Sequence, residues 1–336
     1  MNGFTPVKIA GVGYCVPETV ITNDDLTKLY ETSDEWIYSR TGIKERRVVS
    51  GNETAIDLGL IASKNALEKS GLSIDDIDCI IGAASAPPQL YPTLSATIGA
   101  KLGVKKHIPA FDMTAACTGL IYAMQVARGF ISSNIYKNIL IIAADNNSKI
   151  TDWTDRGTSI LFGDGAGAMV MSASDDGVDD ILSLKISADG VIGDLIKTGV
   201  PSQCCPLVEQ ADEVANGKII MNGKDVYKFA VTTVPKYVEE CIGLSGLTAE
   251  EIDYLIPHQA NQRIIESIQK RLNYSDEKVI SNIKYYGNTS AASIPIALCE
   301  GVEKGKIKLG STAVLCGFGA GMTWGGAVIR MRKDIC

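Results

Sequence analysis

The chain has no C-x-x-C pair, no uninterrupted apolar run of about 18 residues, no surplus of basic charge and only two histidines, His107 and His258. Each absence narrows the field. Without C-x-x-C spacing, neither a zinc site nor a dithiol redox motif is indicated, and the nine scattered cysteines read as free thiols of a reducing compartment. Without a membrane-length run, and with one lysine and no signal-like core in Met1–Pro17, a soluble cytoplasmic protein with no membrane partner is expected. Thirty-two Lys and Arg against 39 Asp and Glu give a net charge of −7, so nucleic acid is not the expected partner. What is present is globular: 336 residues, 46% hydrophobic and 21% charged, enough for two packed units or one large α/β unit.

The most informative feature is an internal repeat. Gly71–Ile81 aligns with Gly246–Ile256 at an offset of 175; at that offset Thr114–Cys117 falls on Thr289–Ala292 and Asn138–Ala144 on Ala313–Gly319. Ala55–Ser70 corresponds to Val226–Ser245, and Lys8–Gly11 to Lys185–Ala188 at 177. Each half reads as a strand, a long helix, a buried strand, a helix and further strands. Runs such as Ile139–Ala144 are too continuous for a sheet with one wet face, so mostly parallel sheets covered by helices are expected. Two halves, 1–174 and 175–336, packing as a five-layered α-β-α-β-α body about a pseudo-two-fold, make the thiolase-like architecture the expected fold class. Thr198–Ala215, with Pro201 and Pro206, reads as a loop or cap.

Cys117 follows a short apolar strand, Ile108–Met113, and opens a helix, where dipole and free amides lower a thiol's pKa and favour the thiolate. A small packed residue is the plainer reading of one cysteine, and its partners decide. His258 ends the strand Ile252–Ile256, at the strand end where α/β sheets place ligands, whereas His107 stands among lysines on a solvated loop. Asn288 sits in the repeat copy of the Cys117 turn; alone it would be a helix cap. The glycine stretches Gly163–Ala168 and Gly317–Gly321 do not open helices and are not nucleotide fingerprints.

Taken together, Thr32–Ile37 with Arg40–Ile43, Ala110–Asp112 leading to Cys117, Asp155–Gly157 leading to Phe162–Ala166, Pro257–Asn261, Gly287–Ser293 and Thr323–Gly325 resemble the β-ketoacyl-acyl carrier protein synthase III enzymes. The resemblance spans nearly the whole chain. It implies that Cys117 takes an acyl group from acyl-CoA as a thioester, and that His258 and Asn288 stabilise the enolate left when malonyl-acyl carrier protein loses CO2. It puts the oxyanion hole at the amides of Cys117 and Ala320, a position where relatives usually carry Gly. Trp36 and Arg156 would sandwich the CoA adenine, with Arg40 near its phosphates and Asn261 on the pantetheine. Taken without the resemblance, Trp36 is a core anchor behind a Thr32-to-Glu35 capping box, and the arginines are surface charges. Tyr91 and Phe318 would line the acyl pocket, Tyr91 by reaching across a homodimer interface, where a bulky ring favours short primers. Lys228, Arg263, Lys270 and Arg271 would dock the acidic carrier protein, against the plainer reading of solvated surface cations.

The implied partners are thus acyl-CoA as substrate, malonyl-acyl carrier protein and a second copy of the chain, with no permanently bound cofactor and no metal. Competing readings are a synthase III-like acyltransferase of secondary metabolism with another donor or acceptor, a Cys-His hydrolase, and a dead binding subunit, which would be expected to lose the nucleophile. Thiolase proper needs a second catalytic cysteine, for which Cys316 qualifies only outside its strand.

Overall fold

The computed structural model describes residues 4–198, 217–332 and 335–336; apart from Thr198, the segment expected to be a loop or cap lies outside them. The first sheet contains β1 (Val7–Cys15), β2 (Cys79–Ala83), β3 (Ala110–Met113), β4 (Asn138–Asp145) and β5 (Gly165–Ala173), in the order β1-β5-β4-β2-β3. The second contains β6 (Ile181–Ala188), β7 (Tyr254–Pro257), β8 (Thr312–Gly319) and β9 (Thr323–Arg330), in the order β7-β8-β9-β6. The helices that cover them are α1 (Asp34–Thr41), α2 (Ala55–Ser70), α3 (Leu94–Leu102), α4 (Gly119–Ser132), α5 (Gly223–Leu244), α6 (Gln262–Leu272) and α7 (Ser293–Glu303).

The alternation along β4 generates the layers. Ile139, Ile141 and Ala143 pack inward with α4 and α7, while Leu140, Ile142 and Ala144 pack outward with α2 and α3. All six are fully buried, and each isoleucine gains roughly 2 kcal/mol from leaving water. On the other sheet Ala313 and Leu315 of β8 face the same central helices, while Val314, Cys316 and Phe318 face α5 and α6. Helices therefore lie outside both sheets and between them, which is the five-layered body. Local signals set the helix ends: Thr54 and Asp57 form a capping box before α2, and Gly71, at φ 72°, closes it.

Three sequence expectations change. The sheets are mixed: β2 runs parallel to β3 and β4, and β7 to β8, but the β1–β5, β4–β5, β8–β9 and β6–β9 pairs are antiparallel. The turn after Gly319 brings the chain straight back as β9, so that neighbour has to be antiparallel. The repeat also shifts register. Leu140 pairs with Val170 as Val314 pairs with Val328, an offset of 174 between Leu140 and Val314; Val170 then pairs with Gly11 and Val328 with Ser183, so Lys8–Gly11 does not match Lys185–Ala188. The second-half counterpart of β3 shrinks to a single bridge between Leu255 and Val279. Finally, α1 is capped by Ser33, whose hydroxyl accepts the Trp36 N–H, and not by Thr32, whose hydroxyl has no partner. No described helix is long and apolar enough to cross a membrane.

Candidate active site

Cys117 stands in a single 3-10 turn, Ala116–Thr118, between β3 and α4. Ala116 holds φ 47°, a left-handed value that costs a non-glycine residue about 1 kcal/mol or more. The turn is held from below: the Thr118 hydroxyl donates to Ala115 O at 2.6 Å and lies 2.8 Å from Thr323 Oγ1, which donates to Ala320 O at 3.1 Å. Gly319 must be glycine here, because a Cβ on it would lie 2.7 Å from the Cys117 nitrogen. This close approach sets Ala320 beside the Cys117 turn, and both line one cavity of about 150 Å³.

His258 and Asn288 line the same cavity. His258 leaves β7 with its N–H on Cys316 O at 2.7 Å, and its ring stands edge-on to Phe318, 5.9 Å between centroids. Nδ1 meets Ser293 Oγ at 2.7 Å, and that oxygen also accepts the Gln259 N–H at 3.3 Å. In the tautomer in which the serine hydroxyl donates to Nδ1, the ring proton lies on Nε2. Burial lowers the His258 pKa to about 3, so the ring is neutral near pH 7. Asn288 follows Gly287, which adopts φ 62° and on which a Cβ would lie 2.6 Å from Leu161 O. The Asn288 backbone is clamped between Leu161 O (2.8 Å) and the Gly163 N–H (2.9 Å), and its Oδ1 accepts the Ser290 N–H at 2.9 Å. With its oxygen so engaged, Asn288 is left with its amide donors as its functional end.

Burial acts against the expected depression of the Cys117 pKa. Burial pushes the thiol up to about 12, and hydrogen bonding from Ser290 and Asn288 offsets only part of that rise. Desolvation of the charged form outweighs the end of a helix that begins two residues later. In the resting site thiol and imidazole are both uncharged.

The other expected residues fall in three places. Phe318 and Asn261 line the cavity, whose walls are otherwise mostly apolar, among them Ile150, Leu161, Val226 and Ile264. Asn261 caps α6 by accepting the Arg263 N–H and also donates to Arg40 O at 3.2 Å. Trp36 is half-buried, packed on the Leu26–Ile37–Ile160 cluster, and the exposed Arg40 and Arg156 place their guanidinium carbons 4.8 and 4.3 Å from its indole centroid. Arg156 also donates to Glu31 O and Arg263 to Ser39 O. Lys228 and Lys270 are exposed, and Arg271 is engaged in a two-pronged pair with Glu239 at 2.8 and 3.1 Å. Tyr91 is 86% exposed and does not line this chain's cavity. His107 is exposed, and Cys316 stays buried within β8. Ser290 and Ser293 were missed in the sequence, although both lie in the Asn288–Ser293 run; the central helices start at Gly119 and Ser293, an offset of 174 and not the 175 read from the sequence.

Family models for 3-oxoacyl-[acyl-carrier-protein] synthase III match residues 111–190 and, for its C-terminal part, residues 243–331. A β-ketoacyl-[acyl-carrier-protein] synthase III of Acaryochloris marina is 44% identical, covering 98% of each chain. The crystal structure of 3-oxoacyl-[acyl-carrier-protein] synthase III from Aquifex aeolicus is 42% identical, covers 96% of this chain and 99% of that one, and superposes with a TM-score of 0.87. The priming β-ketosynthase of the R1128 polyketide biosynthetic pathway is 32% identical, covers 98% and 97%, and gives 0.90.

Proposed function

Because the chain belongs to the 3-oxoacyl-[acyl-carrier-protein] synthase III family, we propose that it condenses a short acyl-CoA primer, acetyl-CoA foremost, with malonyl-acyl carrier protein to start fatty acid synthesis. The observation that carries this reading is the convergence of Cys117, His258 and Asn288 from two halves of the fold on one largely apolar cavity. Cys117 Sγ attacks the primer thioester, the carbonyl oxygen developing its charge against the amides of Cys117 and Ala320, and CoA leaves. The malonyl thioester then enters, and its oxygen takes hydrogen bonds from His258 Nε2–H and an Asn288 amide proton. Its C–C bond to the carboxylate breaks, CO2 departs, and the electron pair becomes an enolate held by those donors. The enolate carbon attacks the acyl-cysteine, and Cys117 leaves as thiolate with 3-oxoacyl-acyl carrier protein as product. A neutral imidazole can fill the role, since in its Nε2–H tautomer it keeps a donor aimed at the enolate oxygen.

The Trp36–Arg40–Arg156 group supports CoA recognition, because an indole face and two guanidinium forks suit an adenine and its phosphates. CoA enters as part of the substrate, and no resident cofactor takes part. The exposed Lys228, Arg263 and Lys270 remain the docking surface proposed for the acidic carrier protein, with Arg271 contributing once released from Glu239. The exposed Leu90–Tyr91 pair suits contact with a second copy in a cytoplasmic homodimer.

Intact-protein mass after mixing with acetyl-, butyryl- and isobutyryl-CoA, followed by malonyl-acyl carrier protein, tests the reading. An adduct on Cys117 that is discharged to a 3-oxoacyl product supports it, and an adduct released as free acid refutes it. The likeness to a polyketide priming enzyme favours one second reading, a larger or unusual primer; it gains if none of the three donors labels Cys117.

A further inference from the structure

Beneath Trp36 lies a cation that neither half-reaction uses. Arg46 stands in the short strand Glu45–Arg47, opposite Ile21 of Val20–Thr22, and is fully buried. Burial lowers its pKa only to about 10, so it stays charged at neutral pH. The two acids that feel this charge, Asp34 and Glu45, are paired with Lys44 and Arg47 instead, and the Arg46 Nε has no partner. A charge buried without a carboxylate costs more than an apolar side chain of similar volume would. What the guanidinium adds is a rigid fork of donors.

The prongs of that fork end on the segments that carry the indole and its two arginines. Nη1 donates to Ile21 O at 3.2 Å and to Asn23 Oδ1 at 2.9 Å, and Nη2 donates to Ile160 O at 2.9 Å. Asn23 is itself buried and passes the contact on: its Nδ2 donates to Asp34 Oδ1 at 2.9 Å and to Ile43 O at 2.7 Å. Asp34 is the first residue of α1, and Ile43 follows the Gly42 that ends it, so one amide reaches both the start of the helix bearing Trp36 and Arg40 and the residue beyond its end. Ile160 caps the C-terminal end of the single helical turn Arg156–Ser159, which bears Arg156. Ile21 and Ile160 also belong to the apolar cluster, with Leu26 and Ile37, on which the indole packs.

We infer that Arg46 is a positioning residue for the acyl donor: it holds Arg156 and the helix bearing Trp36 and Arg40 in the relative positions from which they grip the nucleotide end of acyl-CoA. The 4.3 and 4.8 Å approaches of the two arginines to the indole are thereby set before the donor arrives, and binding spends little on ordering them. Arg46 does not line the cavity, so its effect reaches the donor only through those three side chains. Lysine keeps the charge but brings a single ammonium in place of the planar fork that joins Asn23 to Ile160.

The inference rests on this group recognising CoA, and the experiment separates the two claims. Second-order rate constants for acylation of Cys117, read by intact-protein mass, are compared for acetyl-CoA and for S-acetyl-N-acetylcysteamine, which presents the same acetyl thioester without the nucleotide. In wild type the ratio of the two constants measures nucleotide recognition. Arg46→Lys should lower that ratio about tenfold or more, the loss lying in the concentration of acetyl-CoA needed for half-maximal rate. A residue that merely stabilises the fold slows both donors alike. An unchanged ratio in folded Arg46→Lys protein, whatever the absolute rates, therefore overturns the inference. Should Arg46→Lys fail to fold, Asn23→Ala decides, because it cuts only the branch to α1: the ratio should fall in the same direction, and a ratio equal to that of wild type overturns the inference. Wild-type protein with no preference for acetyl-CoA over the truncated thioester refutes the CoA reading itself, and the role of Arg46 falls with it.

Discussion

Removing the Ser293 hydroxyl isolates the part that imidazole tautomer plays in the second half-reaction. Ser293→Ala leaves Nδ1 of a 4%-exposed ring without its 2.7 Å partner. An orphaned buried acceptor costs about 1–3 kcal/mol. Because burial keeps the ring neutral down to about pH 3, that energy falls on the choice between two neutral tautomers rather than on protonation. About 1.4 kcal/mol is tenfold in an equilibrium, so the Nε2–H form loses about one to two powers of ten in population. Condensation by enzyme already acylated on Cys117 should therefore slow about 10- to 100-fold, read as 3-oxoacyl product per unit time. Acylation itself should stay within about twofold, since His258 takes no proton in that step. Ser293→Thr keeps the hydroxyl and should recover most of the loss. Condensation unchanged in Ser293→Ala, or acylation falling in parallel with it, would refute the reasoning.

Asn288→Ala should keep cysteine acylation and lose about 10²–10³ in condensation, the usual cost of one oxyanion donor; acylation lost to the same degree would show that the division of roles is wrong. Gly319→Ala brings a methyl to 2.7 Å from the Cys117 nitrogen, so acylation should be impaired and stability reduced by about 1–3 kcal/mol, measured by denaturant unfolding. For pH, His258 is neutral in the fold to about pH 3, whereas an unfolded histidine protonates near 6.5. Unfolded chain therefore binds the extra proton first, and this group's contribution to stability is lost as pH falls from about 6.5 toward about 3, by about 1.4 kcal/mol per unit. His258→Gln should flatten the slope of unfolding midpoint against pH in that window; an unaltered slope would mean that the ring is not buried neutral.

The two helix-covered sheets and the Cys117 turn that shares a cavity with Asn288 were legible because helix caps, continuous apolar runs and turn residues are local and recur twice. Ser293 was not. Its meaning comes from the His258 ring, about 35 residues away, which no spacing rule brings to it. The helix start that favours a thiolate is visible in Gly119–Leu120, whereas the opposing effect of burial depends on Gly319 closing over the half-buried turn from the other half. Strand direction failed at the Gly-rich turn beyond Gly319, where alternation of strand and helix stops and a hairpin takes over. Ser33 displaced Thr32 as the cap of α1 by one position, an ambiguity that adjacent hydroxyl residues always leave.

The clamp on Asn288 is made by Leu161 and Gly163, residues of the first half, while the asparagine itself belongs to the second. A chain with only its first half folded would own a nucleophile but neither of its two donors, and the thiol would lack the Gly319 lid that shapes its turn. The two donors proposed for condensation and the Gly319 lid over the cysteine turn therefore come into place together, and only when the seam between the halves closes.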